Sequence, residues 1–286
     1  MTLLKELKSR IQSIRSTQKI TSAMMMVSSS KLRKTQDIIQ NLYPYEQKLS
    51  QLLHIFLSGD REFISPFTEQ RPVQRVAIIA FSSNMSLAGR FNHNIAEKLE
   101  EVVKRYRSLG NDNILVWPIG EKVAKAALDM GLEIQGNYDD ISAKPTYEAM
   151  QKIAGEMMDL FLKGTIDRVE LIYHHFRNKS SQIVMHDIFL PIELTVDKPS
   201  EPALDYIVEP DTETILNLLI PKTLKLKLFT AHVDSVTSEH AARMMAMQIA
   251  TDNADDLIEE LTLEYNKLRQ QSITSELLDI AGGSYS

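Results

Sequence analysis

Cysteine is absent from the 286 residues, which excludes disulfides, thiolate catalysis and thiolate zinc sites. Long apolar runs are absent as well, since nothing approaches the roughly 18 to 20 apolar residues of a membrane span. The stretch from Met1 to Ile14 sets Lys5, Glu6, Lys8 and Arg10 among spaced leucines. It has neither the continuous apolar core of a signal peptide nor the acid-poor composition of a transit peptide. A soluble protein is expected, cytoplasmic unless a partner holds it at a membrane. With 43% hydrophobic residues, a chain of this length can bury a core and form one or two folded units.

Glycine and proline are scarce at both ends. From Met1 to Ser58 the only breaker is Pro44, and from Thr212 to Ala281 it is Pro221. The rest before Gly282 lie between Gly59 and Pro210. Because these residues punctuate helices, two long helices should flank a compact middle, giving three parts: 1–58, 59–210 and 211–286. A heptad seam runs through Leu7, Ile11, Ile14, Gln18, Thr21, Met25, Ser28, Leu32, Thr35, Ile39 and Leu42, then Leu49, Leu53 and Phe56. Its counterpart runs through Val233, Thr237, His240, Met244, Met247, Thr251, Ala254, Ile258, Leu261, Tyr265 and Leu268. Each helix reaches about 60 to 80 Å at 1.5 Å per residue. Pro44 should kink or end the first and Pro221 should kink the second.

The middle alternates strands and helices. Strands are expected at 75–81, 114–117, 168–176 and 181–189, and helices at 92–108, 121–130 and 147–163. The fold class is therefore α/β: a long antiparallel coiled coil of the terminal helices plus a central Rossmann-like α/β domain with a mostly parallel sheet. The proline-rich segment 191–210 connects back to the last helix. Both long helices join the same domain from opposite chain ends, so they must pair antiparallel, as a rod on a globular foot. If the methionine clusters Met24 to Met26 and Met244, Met245 and Met247 lie side by side, facing positions sum to about 270 along heptads of equal rise. Leu42 then faces Leu228, Met25 faces Met244 and Met247, Ile14 faces 254–258, and Leu7 faces Leu261. From about Leu268 onward the last helix has nothing beside it.

Charge is uneven within a net −6. Residues 1–40 carry eight Lys/Arg against Glu6 and Asp37, and residues 252–286 carry eight Asp/Glu against Lys267 and Arg269. The two ends are complementary. Lys31, Arg33 and Lys34 could meet phosphates or an acidic protein surface, but no aromatic ladder for single-stranded nucleic acid occurs in residues 1–42.

Several motifs fail as chemistry. Ser82 to Asn92 (SSNMSLAGRFN) follows a strand and opens a helix, yet Gly89 stands alone and Arg90 follows it, so neither a dinucleotide turn nor a P-loop is present. His174 and His175 point to opposite faces of a strand and cannot share an ion. Ser28 and Lys31 match S-x-x-K without its companion motifs. No catalytic, cofactor-binding or metal residue is assigned. A methionine triplet points all round its helix, so some thioethers must face outward, where their flexibility suits a surface that slides against several partners.

Ile11-Gln12-Ser13-Ile14, Thr17 to Met24 and Ser30 to Lys34 resemble the N-terminal helix of F-type ATP synthase gamma subunits. Ser238 to Met244, Ala250 to Ala254, Tyr265-Asn266-Lys267, Arg269-Gln270 and Ile273 to Glu276 resemble that family's last helix. The resemblance covers the whole length. It departs at Ser284, where alanine is usual, and at Ser83 to Gly89, where the family shows Ser-Asp-Arg/Lys-Gly-Leu-Cys/Ala-Gly.

This resemblance implies a non-catalytic rotor: a coiled coil inside a hexamer of alpha and beta subunits, and a foot that meets the epsilon subunit and the membrane rotor ring. It also implies peripheral attachment to the cytoplasmic face of a bacterial inner membrane, with nucleotide and Mg²⁺ held by the partners and no nucleic acid or small-molecule ligand on the chain itself. By the same resemblance Met24 and Arg243 lie near the moving beta lever. Arg269, Gln270, Thr274 and Glu276 meet the collar around the shaft tip, and Glu209 sits near the membrane ring.

Overall fold

A computed structural model describes residues 2–59, 65–192, 209 and 211–283. The elements in chain order are helix α1 (Thr2–Gly59), strand β1 (Val76–Phe81), α2 (Phe91–Arg105), β2 (Ile114–Ile119), α3 (Glu121–Asp129), β3 (Glu133–Ile134), α4 (Asp139–Ser142), α5 (Tyr147–Leu162), β4 (Arg168–Asn178), β5 (Ser181–Leu190) and α6 (Thr212–Gly283). They form two compact units, one of Met1–Ser29 with Arg243–Ser286 and one of Ser30–Ala242. Most of the connection 191–210 lies outside the described residues.

In the larger unit the strand order is β3-β2-β1-β4-β5. The first four strands run parallel and β5 is antiparallel to β4, as expected for a mostly parallel sheet. Strand β1 shows why it is central: all six of its residues are buried, because each face meets a different layer. Ala77, Ile79 and Phe81 join one apolar cluster with Met150, Ile153, Met157 and Phe161 of α5, Leu53 of α1, and Leu216, Ile220, Leu224 and Leu228 of α6. Val76, Ile78 and Ala80 join a second with Ile95, Leu99 and Val102 of α2 and Val123 and Ala127 of α3. This is the period-two alternation of a strand covered on both faces. Fully burying a side chain such as Ile78 contributes about 2 kcal/mol.

Neither proline ends its helix. Pro44 lies inside α1 and Pro221 inside α6, correcting the expectation that α1 could stop at Pro44. A proline removes one hydrogen bond and crowds the carbonyl four residues back, but buried anchors hold the course on both sides. These are Ile39, Leu49 and Leu53 around Pro44, and Leu216, Ile220 and Leu224 around Pro221.

Candidate functional site

The loop from β1 to α2 leaves the sheet where β1 lies between β2 and β4, the place at which open parallel sheets bind ligands. Here its polar groups are bound to neighbouring turns. The Ser82 hydroxyl donates to Gly120 O (3.2 Å) and accepts from the Val123 N–H (2.9 Å). Asn84 Oδ1 accepts from the Glu121 N–H (3.0 Å) and the Ser142 hydroxyl (2.9 Å), while its amide donates to Asp139 O (2.8 Å). Asn92 Oδ1 accepts from the Ser83 N–H (3.0 Å). The backbone turns through Leu87 at φ 65° and Gly89 at φ 57°.

Every residue of α6 from Thr230 to Ala241 is buried, although the segment is rich in polar side chains. His232 stacks on Phe81 at the end of β1 (centroids 5.4 Å) and donates from Nε2 to Ser142 O (3.3 Å). His174 of β4 stacks on Phe91 (4.3 Å). Burial pushes both imidazoles down to about 4, since a charged ring would lose its water. His232 of α6 thus packs against the end of β1 from which that loop leaves the sheet. The two adjacent histidines do face apart, for His175 Nδ1 instead meets Asp234 Oδ2 at 2.7 Å. Among the described residues no group of three His, Cys, Asp or Glu could hold a metal ion. No helix among them is long and apolar enough to cross a membrane.

In the smaller unit α1 and α6 pair antiparallel. The hydroxyls of Thr21 and Thr251 lie 2.8 Å apart, and the Gln18 amide donates to Asp255 Oδ1 at 3.0 Å. Facing positions therefore sum to 272 and 273, close to the register expected from the methionine clusters. The small polar seam residues are satisfied: one hydroxyl donates to the other, whose own hydrogen goes to a carbonyl one turn back, Gln18 O for Thr21 (3.0 Å) or Met247 O for Thr251 (2.8 Å). Leu7, Met247, Ala254 and Leu261 are buried.

Several large apolar residues of this unit face water. Ile20, Met26, Val27, Ile249, Leu257 and Leu263 are exposed, with Met26 at 64%. Met24, Met25, Met244 and Met245 are half-buried, so the triplet winds round its helix as the sequence implied. Past Leu268, Ile273, Leu277, Leu278 and Ile280 are all exposed. Exposed apolar side chains repeated along a helix pair suit contact with a partner. Lys5, Lys8, Arg10, Arg15 and Lys19 are exposed too. Among the described residues no ion pair joins these bases to the acids of α6.

Of the residues singled out by resemblance, Met24 is half-buried and Arg243 is 6% exposed. Arg269, Gln270, Thr274 and Glu276 are gathered on the exposed last turns of α6, where Thr274 donates to Gln270 O (2.9 Å). Glu209 is exposed and belongs to the other unit. Sequence reasoning missed Asp234, which is buried with its carboxylate bound by Tyr43, His175 and the Phe176 N–H. The available signal was an isolated acid between Val233 and Val236.

A family model described as ATP synthase matches residues 3–286. The chain is 51% identical over 296 residues to the ATP synthase gamma chain of Bacteroides thetaiotaomicron, covering 99% of each. It is 50% identical to that of Phocaeicola vulgatus over 287 residues, again 99% of each. Its fold is similar to a chain of the Euglena gracilis mitochondrial ATP synthase rotor, with TM-score 0.65 and 16% identity over 95% of this chain and 99% of that one. It is also similar to a chain of the Tetrahymena thermophila mitochondrial ATP synthase central stalk and c-ring, with TM-score 0.57 and 20% identity over 81% and 99%.

Proposed function

The chain belongs to the ATP synthase gamma-chain family, and from that membership we propose that it is the rotating central shaft of a proton-translocating ATP synthase, doing no chemistry itself. The observation that carries this reading is the antiparallel α1/α6 pair pinned at Thr21 and Thr251, whose outward face and unpaired last turns leave Met26, Leu263, Leu277 and Leu278 in water. A lone helix is marginal in water. A surrounding ring of alpha and beta subunits supplies the missing contacts.

The mechanism is a population shift. An asymmetric shaft touches each of three beta subunits differently, and only differential contact can bias their conformations toward binding, forming or releasing ATP. Nucleotide, metal and the catalytic arginine belong to those partners, in keeping with a β1–α2 loop whose Ser82 and Asn84 side chains are bound to neighbouring turns. Met24 and Arg243 act beside the beta lever, and Arg269, Gln270, Thr274 and Glu276 act against the collar. Glu209 acts near the membrane ring, where the epsilon subunit also joins the foot. Residues 1–58 and 211–286 supply the shaft helices and 59–210 the foot, and the assembly sits peripherally on the cytoplasmic face of the bacterial inner membrane.

Reconstitution tests this directly. The isolated chain should hydrolyse no ATP, and adding it to alpha and beta subunits should produce a hexamer with nucleotide-dependent ATPase activity whose central chain turns. Tight, saturable ATP binding by the isolated chain in calorimetry would overturn the reading.

A further inference from the structure

A shaft is useful only if its helices are held firmly to the foot, and an apolar interface alone, lacking directionality, permits small rotations. Within the larger unit the structure contains a directional joint. Asp234 of α6 is 1% exposed. Its Oδ2 accepts from the Tyr43 hydroxyl of α1 and lies 2.7 Å from His175 Nδ1 of β4, while its Oδ1 accepts from the Phe176 N–H of β4 at 2.7 Å. His175 Nδ1 is also 2.9 Å from the Tyr43 oxygen. Since that hydroxyl gives its hydrogen to Asp234, Nδ1 must carry one of its own. One carboxylate thus gathers three donors from the two other elements, and charge-assisted bonds of this kind are the strong ones.

Its neighbours make the joint tighter. The Tyr43 and His175 rings meet edge to face at 5.9 Å, and the Ser238 hydroxyl, one turn along α6, donates to His174 O (3.4 Å). The carboxylate lies inside the stretch Thr230 to Ala241, which is covered on every side. A buried acid costs more to desolvate than a packed leucine, so stability alone does not account for one here. Orientation does.

Resting on the shaft reading above, we infer that Asp234 is a positioning residue that keys both long helices to strand β4 and sets the torsional stiffness of the joint through which torque passes. The test uses the assembled complex with its hexamer fixed to a surface. Lys179→Cys, in the exposed turn between β4 and β5 of a chain without cysteine, carries a bead. Angular variance is read at a nucleotide-free stall and rotation after ATP is added.

Tyr43→Phe, which keeps the ring and removes one bond, should raise the variance roughly twofold, and Asp234→Asn should raise it further, with hydrolysis by the unloaded complex unchanged. His175→Asn, which restores a donor near Nδ1, should recover more stiffness than His175→Ala. A core variant of equal thermal destabilisation, Ile153→Val, should leave the variance alone. Wild-type variance in assembled Tyr43→Phe and Asp234→Asn would overturn the inference. If Asp234→Asn fails to assemble, Tyr43→Phe decides alone. If the wild-type bead does not turn with ATP, the shaft reading falls and this inference with it.

Discussion

His232 lies stacked on Phe81, ring centroids 5.4 Å apart and planes 25° from parallel, with its Nδ1 buried and without a hydrogen-bond partner. His174 is placed likewise on Phe91, its Nδ1 also unpartnered. Burial holds both at about 4, so in the folded protein they stay neutral down to that pH. The unfolded chain takes up both protons below roughly pH 6.5. Stability is therefore full above that pH and is lost as pH falls toward 4, at about 1.4 kcal/mol per unit for each histidine. Denaturant titration of the full chain, followed by its single, buried Trp117, should lose about 2 to 3 kcal/mol between pH 7.5 and pH 5.5. His232→Phe should remove about half of that dependence. An unchanged slope in the variant would show that the proton goes elsewhere.

Gly120 sits at φ 110°, and a Cβ there would come within 2.4 Å of Ser82 O. That close approach lets Ser82 bond both Gly120 O and the Val123 N–H. Gly120→Ala should cost about 2 to 4 kcal/mol. Gly110→Ala, at φ 82° in open space, should cost only about 1 kcal/mol. Equal losses in the same titration would mean that the contact with Ser82 is not what demands glycine.

The register of the helix pair is open to crosslinking because the chain has no cysteine. With Thr21 opposite Thr251, Met25→Cys should form a disulfide with Met247→Cys or Met244→Cys under mild oxidation. Met25→Cys with Ser275→Cys should not. Efficient crosslinking only in the last combination would refute the register, and with it the view that the final turns have no α1 beside them.

Removing the residues after Leu268 should leave the Trp117 transition unchanged, since Ile273, Leu277 and Leu278 touch solvent and not the core. Affinity for the alpha and beta subunits should fall by about tenfold or more, the equivalent of burying less than one leucine fully. Global unfolding seen by circular dichroism would instead make these turns part of the core.

The strands were legible because β1 is a short apolar run and β4 carries Val169, Leu171, Ile172, Tyr173 and Phe176 in close succession, and each ended within two residues of the reading. The two-residue strand β3 was not, since Glu133 and Ile134 pair with only Leu115 and Val116 and leave no pattern to read. The seam was legible for a similar reason. Its members from Leu7 to Phe56 and from Val233 to Leu268 are all buried or half-buried, so heptad spacing alone found the packed stripe. Periodicity could not show that His232, Asp234, Ser235, Ser238 and Glu239, which lie off that stripe, are buried as well. A second wall of sheet and loop covers their face, and a helix does not announce in its own sequence what will be placed against it.

The sequence by itself determined the long helices, their antiparallel pairing, the α/β middle and the absence of a phosphate loop, because these follow from local spacing, breakers and missing glycines. Tertiary structure decided where α6 runs unbroken through Pro221, which histidines are held neutral, and that Asp234, Tyr43 and His175 meet. Those outcomes depend on contacts between residues up to 191 positions apart. Such contacts are fixed by the packing of whole layers and not by any stretch of chain.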